Sequence, residues 1–126
     1  MGQQFAPRTL AIGVDVGGTA IKTLLVDDQL APLFTCSFAT DTSGREATFT
    51  SIANAIEQTL AEAGADQTKL AAIGLGVPGQ NDPLTGVVRL AVNLHWQDFP
   101  LAPRLTARFG VPSFLDKDLY MATQGV

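Results

Sequence analysis

The sequence predicts an α/β domain with a mixed sheet, and three observations carry that expectation. Residues 10–38 hold three apolar stretches separated by short turns. Residues 43–64 carry one helical apolar stripe with marked ends, and residues 70–77 form a short, nearly continuous apolar run. A chain that opens as a strand meander and then alternates strands with helices combines antiparallel and parallel pairing in one sheet.

Each element has its own signal. Leu10, Ile12, Val14 and Val16 alternate onto one face of a first strand, Gly17-Gly18 breaks the pattern, and residues 20–26 (AIKTLLV) read as a second strand. Two strands about a Gly-Gly turn make a hairpin. Asp27-Asp28-Gln29 is the next turn, and residues 33–38 complete a three-strand antiparallel meander. Ser43-Gly44-Arg45-Glu46 fits a capping box at the start of the helix. Phe49, Ile52, Ala53, Ile56, Leu60 and Ala63 form its stripe, and Gly64 sits at the left-handed cap position. Residues 70–77 (LAAIGLGV) suit a strand buried on both faces. Residues 86–90 read as a short strand or hairpin arm. Residues 100–109 form a short helix, with Leu101, Leu105 and Phe109 on one face, both prolines in its first turn and Gly110 at its end. Residues 111–115 make a further strand, and Asp116-Lys117-Asp118 opens a last helix toward Val126.

Composition narrows the function classes. At 126 residues the chain is one domain, spanning residues 1–126. Eight basic against twelve acidic residues, a net charge of −4, argue against nucleic-acid binding, which needs a basic stripe. Charged residues make up only 16%, and mean hydropathy is +0.20, so an apolar face for a partner is expected. Cys36 is the single thiol, which excludes an intrachain disulfide and a cysteine-rich metal site. With no secretory pattern at the start and no apolar run of membrane-spanning length, the expected location is the cytoplasm, away from the membrane.

Four segments could carry chemistry. Asp15-Val16-Gly17-Gly18-Thr19-Ala20-Ile21-Lys22 is either an ordinary hairpin turn or a phosphate cradle, in which bare glycines let backbone N–H groups approach an anion. In the second reading Asp15 holds hydrated Mg2+, Thr19 donates to a phosphate oxygen, and Lys22 supplies a cation on the same side. Gly74-Leu75-Gly76-Val77-Pro78-Gly79 spells a dinucleotide fingerprint, but Pro78, Pro83 and Gly86 forbid the helix that must follow, which excludes a nicotinamide enzyme. Asp116-Lys117-Asp118 taken alone is a helix start, where carboxylates suit the dipole. Asn93-Leu94-His95-Trp96 offers no second metal ligand, so His95 is given no chemistry.

Taken in order, these pieces resemble the bacterial ROK family of sugar kinases and sugar-responsive repressors. The resemblance rests on Asp15-x-Gly17-Gly18-Thr19-x-x-Lys22, Gly74 to Gly79, Thr85-Gly86-Val87-Val88, Asn93-Leu94-x-Trp96, Pro100-Leu101 and Phe109-Gly110-Val111-Pro112. It implies an actin-like, ribonuclease-H-like fold of two lobes around a cleft, and an ATP-dependent hexose kinase of the glucokinase type with ATP and Mg2+. Asp15, Gly17, Gly18, Thr19, Ala20 and Lys22 would then handle the ATP phosphates, with Asp15 reaching Mg2+ through water. By the same resemblance Asp118 is the base that deprotonates the sugar hydroxyl, and Gly79, Asn93 and Lys117 border the sugar.

Lys117 stands where the family's kinases usually carry Asn, and Tyr120 where a second Asn is common; lysine donates hydrogen bonds but cannot accept them. The family's second-lobe motifs have no counterpart in these 126 residues. The expectation is therefore a first lobe that is inactive by itself and completed by a carboxy-terminal lobe or a partner chain, with a homodimer as a separate expected assembly. The alternative is a sugar-sensing or dimerising domain of a ROK regulator or truncated homologue. The absence of a DNA-binding segment before Leu10 weighs against DNA contact by this chain.

Overall fold

The computed structural model describes residues 9–115. The expected last helix and the expected roles of Asp118 and Lys117 lie outside the described residues.

Strands β1 (Leu10–Val16), β2 (Ala20–Val26) and β3 (Pro32–Ala39) form the expected antiparallel meander. Helix α1 (Arg45–Glu62) then returns the chain to β4 (Leu70–Gly76), which pairs parallel to β1. Strand β8 (Ser113–Leu115) adds parallel to β4, so the five-stranded sheet runs β3-β2-β1-β4-β8. The mixture has a simple cause: a Gly-Gly turn can only reverse the chain, whereas a helical crossover restores its direction.

The face of the sheet bearing Ile12, Val14, Val16, Ile21 and Leu25 packs under α1, which buries Phe49, Ile52, Ala53, Ile56 and Leu60. Each large side chain removed from water there contributes about 1.5–3 kcal/mol. At its carboxyl end α1 stops as expected. Gly64 has φ 65° and donates to Ala61, while Ala65 N–H reaches back to the Leu60 carbonyl at 2.9 Å.

The capping box does not form. Gly44 is the N-cap and offers no side chain, and Ser43 N–H donates to the Asp41 carboxylate at 3.0 Å. Glu46 instead receives both arms of the Arg104 guanidinium, at 2.7 and 2.8 Å. A bidentate charge-assisted pair outcompetes a single backbone donor for the same carboxylate.

A second sheet, antiparallel, is made of β5 (Gln80–Asp82), β6 (Val87–Ala91) and β7 (Trp96–Phe99), in the order β5-β6-β7. Residues 86–90 thus do become a strand in a hairpin. Strands β5 and β7 were invisible to periodicity, because three or four residues are too few to show it. Asp98 also takes a positive φ (51°) inside β7, and residues 81–83 carry turn chemistry. Helix α2 (Leu101–Phe109) follows, burying Leu101, Leu105 and Phe109, and closes on Gly110 at φ 72°. The strand expected over 111–115 is confined to Ser113–Leu115, with Val111 buried in the approach to it. No helix among the described residues is long and apolar enough to cross a membrane.

Two stability predictions follow from this packing. The Thr59 hydroxyl donates to the Ala55 carbonyl at 2.7 Å, so in its buried pair with Thr23 at 2.6 Å it is the acceptor. Thr59→Val therefore strands the Thr23 donor and is expected to cost about 1–3 kcal/mol. Replacing both threonines by valine should cost less than the single change, a difference readable in urea-denaturation midpoints. Four carboxylates, three exposed and Asp82 half-buried, sit below their ordinary range: Asp41 through the Ser43 hydroxyl, Glu46 through Arg104, Asp66 through the Thr68 hydroxyl and Asp82 through the Thr85 hydroxyl. Depressed folded values mean stability that is present above the ordinary carboxylate pKa and lost as pH falls through the folded values. The denaturation midpoint should hold from neutrality to about pH 5 and fall below about pH 4; a rise on acidification would contradict these pairings.

Candidate active site

The parallel register of β1 with β4 brings their carboxyl ends together, and the candidate residues gather there. Asp15 lies opposite Lys22 on β2 and beside Gly76 on β4. Directly opposed residues share a sheet face, so Asp15 and Lys22 project on the same side, and both are exposed. Neither takes part in an ion pair among the described residues.

The turn that follows is tightly tied. Gly17 N–H donates to the Ala20 carbonyl at 2.9 Å. A methyl group on Gly17 would lie 3.0 Å from that same oxygen, which explains glycine at this position. Thr40, just past β3, holds the turn from behind: its hydroxyl donates to the Gly17 carbonyl at 2.8 Å and its N–H to the Thr19 carbonyl at 3.0 Å. Among the described residues, the Gly18 and Thr19 N–H groups find no acceptor. Such a turn presents amide donors to solvent, which suits an anion.

Beside the turn is a cavity of about 150 Å³, lined by Pro78, Gly79, Ala91, Val92, Asn93 and Leu94. Gly79 has φ 111°, and a Cβ there would fall 2.2 Å from the Leu90 carbonyl oxygen, so the two cavity walls touch through bare backbone. Opposite, the turn at Val92–Leu94 ends on His95 at φ 60° and packs against Thr48, whose hydroxyl lies 3.4 Å from the Leu94 carbonyl and closer, 2.9 Å, to that of Asp41. Trp96 anchors the same segment, its indole N–H donating to the Arg45 carbonyl at 3.0 Å. Larger hollows of about 430 and 520 Å³ lie elsewhere, at the amino end of β1 and beside the β5–β6 turn, away from the strand ends that gather these polar groups.

The turn and the cavity meet. A Cβ built on Gly18 would come 3.5 Å from Asn93 Cβ and 4.0 Å from its amide nitrogen, so Gly18 lies directly against that side chain. Of the residues singled out in the sequence, the structure brings Asp15, Gly17, Gly18, Thr19, Ala20, Lys22, Gly79 and Asn93 to one end of the molecule. His95 is exposed there, and after Gly76 the chain enters a turn and then β5 rather than a helix, so the dinucleotide fingerprint is a coincidence of spelling. Thr40 and Thr48 escaped the sequence reading, since a lone threonine at the end of a strand or early in a helix carries no signal of its long-range partner.

No group of three or more His, Cys, Asp or Glu side chains among the described residues could hold a metal. Asp15, exposed and without an ion pair among the described residues, is a single carboxylate of the kind that hydrated Mg2+ meets beside substrate phosphates. The free turn amides and exposed Lys22 likewise fit a polyphosphate.

Two glycines test the geometry. Gly79→Ala combines a positive φ with a backbone clash and is expected to lose at least about 3 kcal/mol, lowering the melting temperature by roughly 10–20 °C. Gly18→Ala meets only ordinary contacts and should stay within about 1 kcal/mol of the parent. Equal effects of the two changes in thermal melts would overturn the placement.

Comparison with known proteins identifies the family and the fold. The sequence profile of the ROK family matches residues 11–125. The glucokinase of Halalkalibacterium halodurans is 34% identical over 115 residues, 90% of this chain and 35% of that protein. The xylose repressor of Caldicellulosiruptor bescii is 35% identical over 63 residues, 50% of this chain and 16% of its own. The crystal structure of a ROK family glucokinase from Streptomyces griseus, in complex with glucose and AMPPNP, superposes with a TM-score of 0.73 at 31% identity. That likeness covers 86% of this chain and 33% of the other. The chain thus spans about a third of the length of the glucokinases it matches. With its mixed sheet, its antiparallel companion and its ordered motifs, this chain is a member of the ROK family with the actin-like ATPase fold.

Proposed function

We propose that the chain is the first lobe of an ATP-dependent hexose kinase of the glucokinase type, one half of a site that the remaining two thirds of such a protein completes. The observation that carries this reading is the contact between Gly18 and Asn93, which sets a turn with free amide donors against a small cavity whose one polar side chain is Asn93. Phosphoryl transfer asks the protein for positioning and charge neutralisation more than for covalent chemistry. Gly18 and Thr19 offer amide donors to phosphate oxygens, with Gly17 and Ala20 shaping their turn. Lys22 adds positive charge on the same face, and Asp15 takes a water of the magnesium ion. ATP supplies the γ-phosphoryl group, and Mg2+ offsets its charge. In the cavity, Asn93 and the backbone at Gly79 orient a sugar hydroxyl, and Asp118 removes its proton. Lys117 donates to the sugar without accepting, which favours a sugar presenting an acceptor or an anionic group there.

The similarity to a xylose repressor supports a second reading, a sugar-sensing domain without catalysis. One chimera separates the two: this chain joined to the remaining two thirds of the Halalkalibacterium halodurans glucokinase. Glucose-dependent ATP turnover is expected from the chimera and not from the 126-residue chain alone. Asp118→Asn should lower turnover by about 10²–10⁴-fold while sugar binding persists. A chimera that binds sugar but never consumes ATP decides for sensing, and robust turnover by the isolated chain refutes the half-site.

A further inference from the structure

The geometry points to Thr40 as a positioning residue that aims the Gly18 amide at the bound phosphate. The inference rests on the phosphate reading of the Gly17–Ala20 turn. In an antiparallel hairpin the residues flanking the turn ordinarily exchange two backbone bonds. Here Gly17 gives its N–H to the Ala20 carbonyl at 2.9 Å, but no N–H from Ala20 returns to Gly17. The Gly17 carbonyl is taken instead by the Thr40 hydroxyl, at 2.8 Å across 23 residues of chain.

That substitution has a directional consequence. The Gly17 carbonyl and the Gly18 N–H belong to one planar trans peptide and point opposite ways. Fixing the carbonyl toward β3 therefore fixes the Gly18 N–H away from β3, on the open side of the turn, where no acceptor among the described residues meets it. Thr40 also donates its own N–H to the Thr19 carbonyl, so this one residue engages both the Gly17 and the Thr19 carbonyls. Without the hydroxyl the Gly17–Gly18 peptide is free to rotate, because glycine on both sides of the bond resists rotation least. Thr40 touches no phosphate in this arrangement; it removes the freedom of the group that does.

The test is an NMR titration of the full chain, labelled with ¹⁵N, against inorganic triphosphate, following the Gly18 and Thr19 amides. Saturable shifts of both are expected for the parent. Thr40→Val, which keeps the backbone donor and removes the hydroxyl, should weaken the affinity about two- to tenfold, as loss of one hydrogen bond implies. Thr40→Ser should restore it to within about twofold of the parent. If valine unfolds the chain, Thr40→Ala makes the same deletion with less bulk. Parent-like affinity in the hydroxyl-free variant, with or without a lowered melting temperature, overturns the positioning role and leaves the phosphate reading standing. Weakening that serine does not rescue also overturns it, since the methyl group and not the hydroxyl would then be responsible. A parent whose Gly18 amide ignores triphosphate overturns both readings together.

Discussion

The small sheet packs on α1 and α2 through an aromatic cluster, and the placement of Gly79 and Asn93, which flank its strands, depends on that packing. Trp96 lies flat on Phe99, with ring centroids 4.5 Å apart and planes within 7°. Phe49 of α1 closes one side at 6.0 Å from Phe99. The Arg104 guanidinium lies 4.2 Å from the Phe49 ring and 5.0 Å from Phe99 while both its arms hold Glu46. One cation on α2 thus serves two aromatic faces and one carboxylate, tying three elements that are far apart in sequence. Stacked and cation–π contacts have directional preferences that plain apolar packing lacks, so the cluster sets an orientation as well as a separation.

That orientation reaches the site by a short route. The Trp96 indole N–H grips the Arg45 carbonyl at the start of α1, and the buried Thr48 hydroxyl lies between the Asp41, Gly44 and Leu94 carbonyls. The amino end of α1 is consequently the common reference for the Val92–Leu94 turn and for the segment leaving β3. Asn93 comes from the first and Thr40 immediately precedes the second. Two loops that do not pair with one another are in this way both aligned on the same hairpin.

Much of this was legible in the residues, and the failures have identifiable causes. Strands β1 and β2 and both helices were visible because their apolar residues recur regularly over seven or more positions, and β4 because its run is almost wholly apolar. The Gly64 and Gly110 caps were visible because left-handed backbone strongly favours glycine. Strands β5 and β7 were hidden by their brevity and by the left-handed residues His95 and Asp98, which no strand pattern anticipates. The capping box failed because its Glu46 had a distant suitor, Arg104, 58 residues along the chain. For the site, the glycines and Asp15 announced themselves by type and spacing. The tethers Thr40 and Thr48 did not, because their partners are backbone carbonyls, which every residue has and no sequence marks.

The close approach of Gly79 to Leu90 bears on how the cavity can behave. No side chain fits between the two stretches of chain. The pairing that follows at once, Gln80 with Leu90 and Asn81 with Val88, ties the wall at Pro78–Gly79 to the strand that leads into the wall at Ala91–Leu94. Any hinge motion of the small sheet must carry both walls together as one rigid body, with the bending confined to the chain on either side. Selection at this surface is then a matter of preformed shape: a ligand enters a slot of constant width, and adaptation to it has to come from whatever closes over the slot from outside.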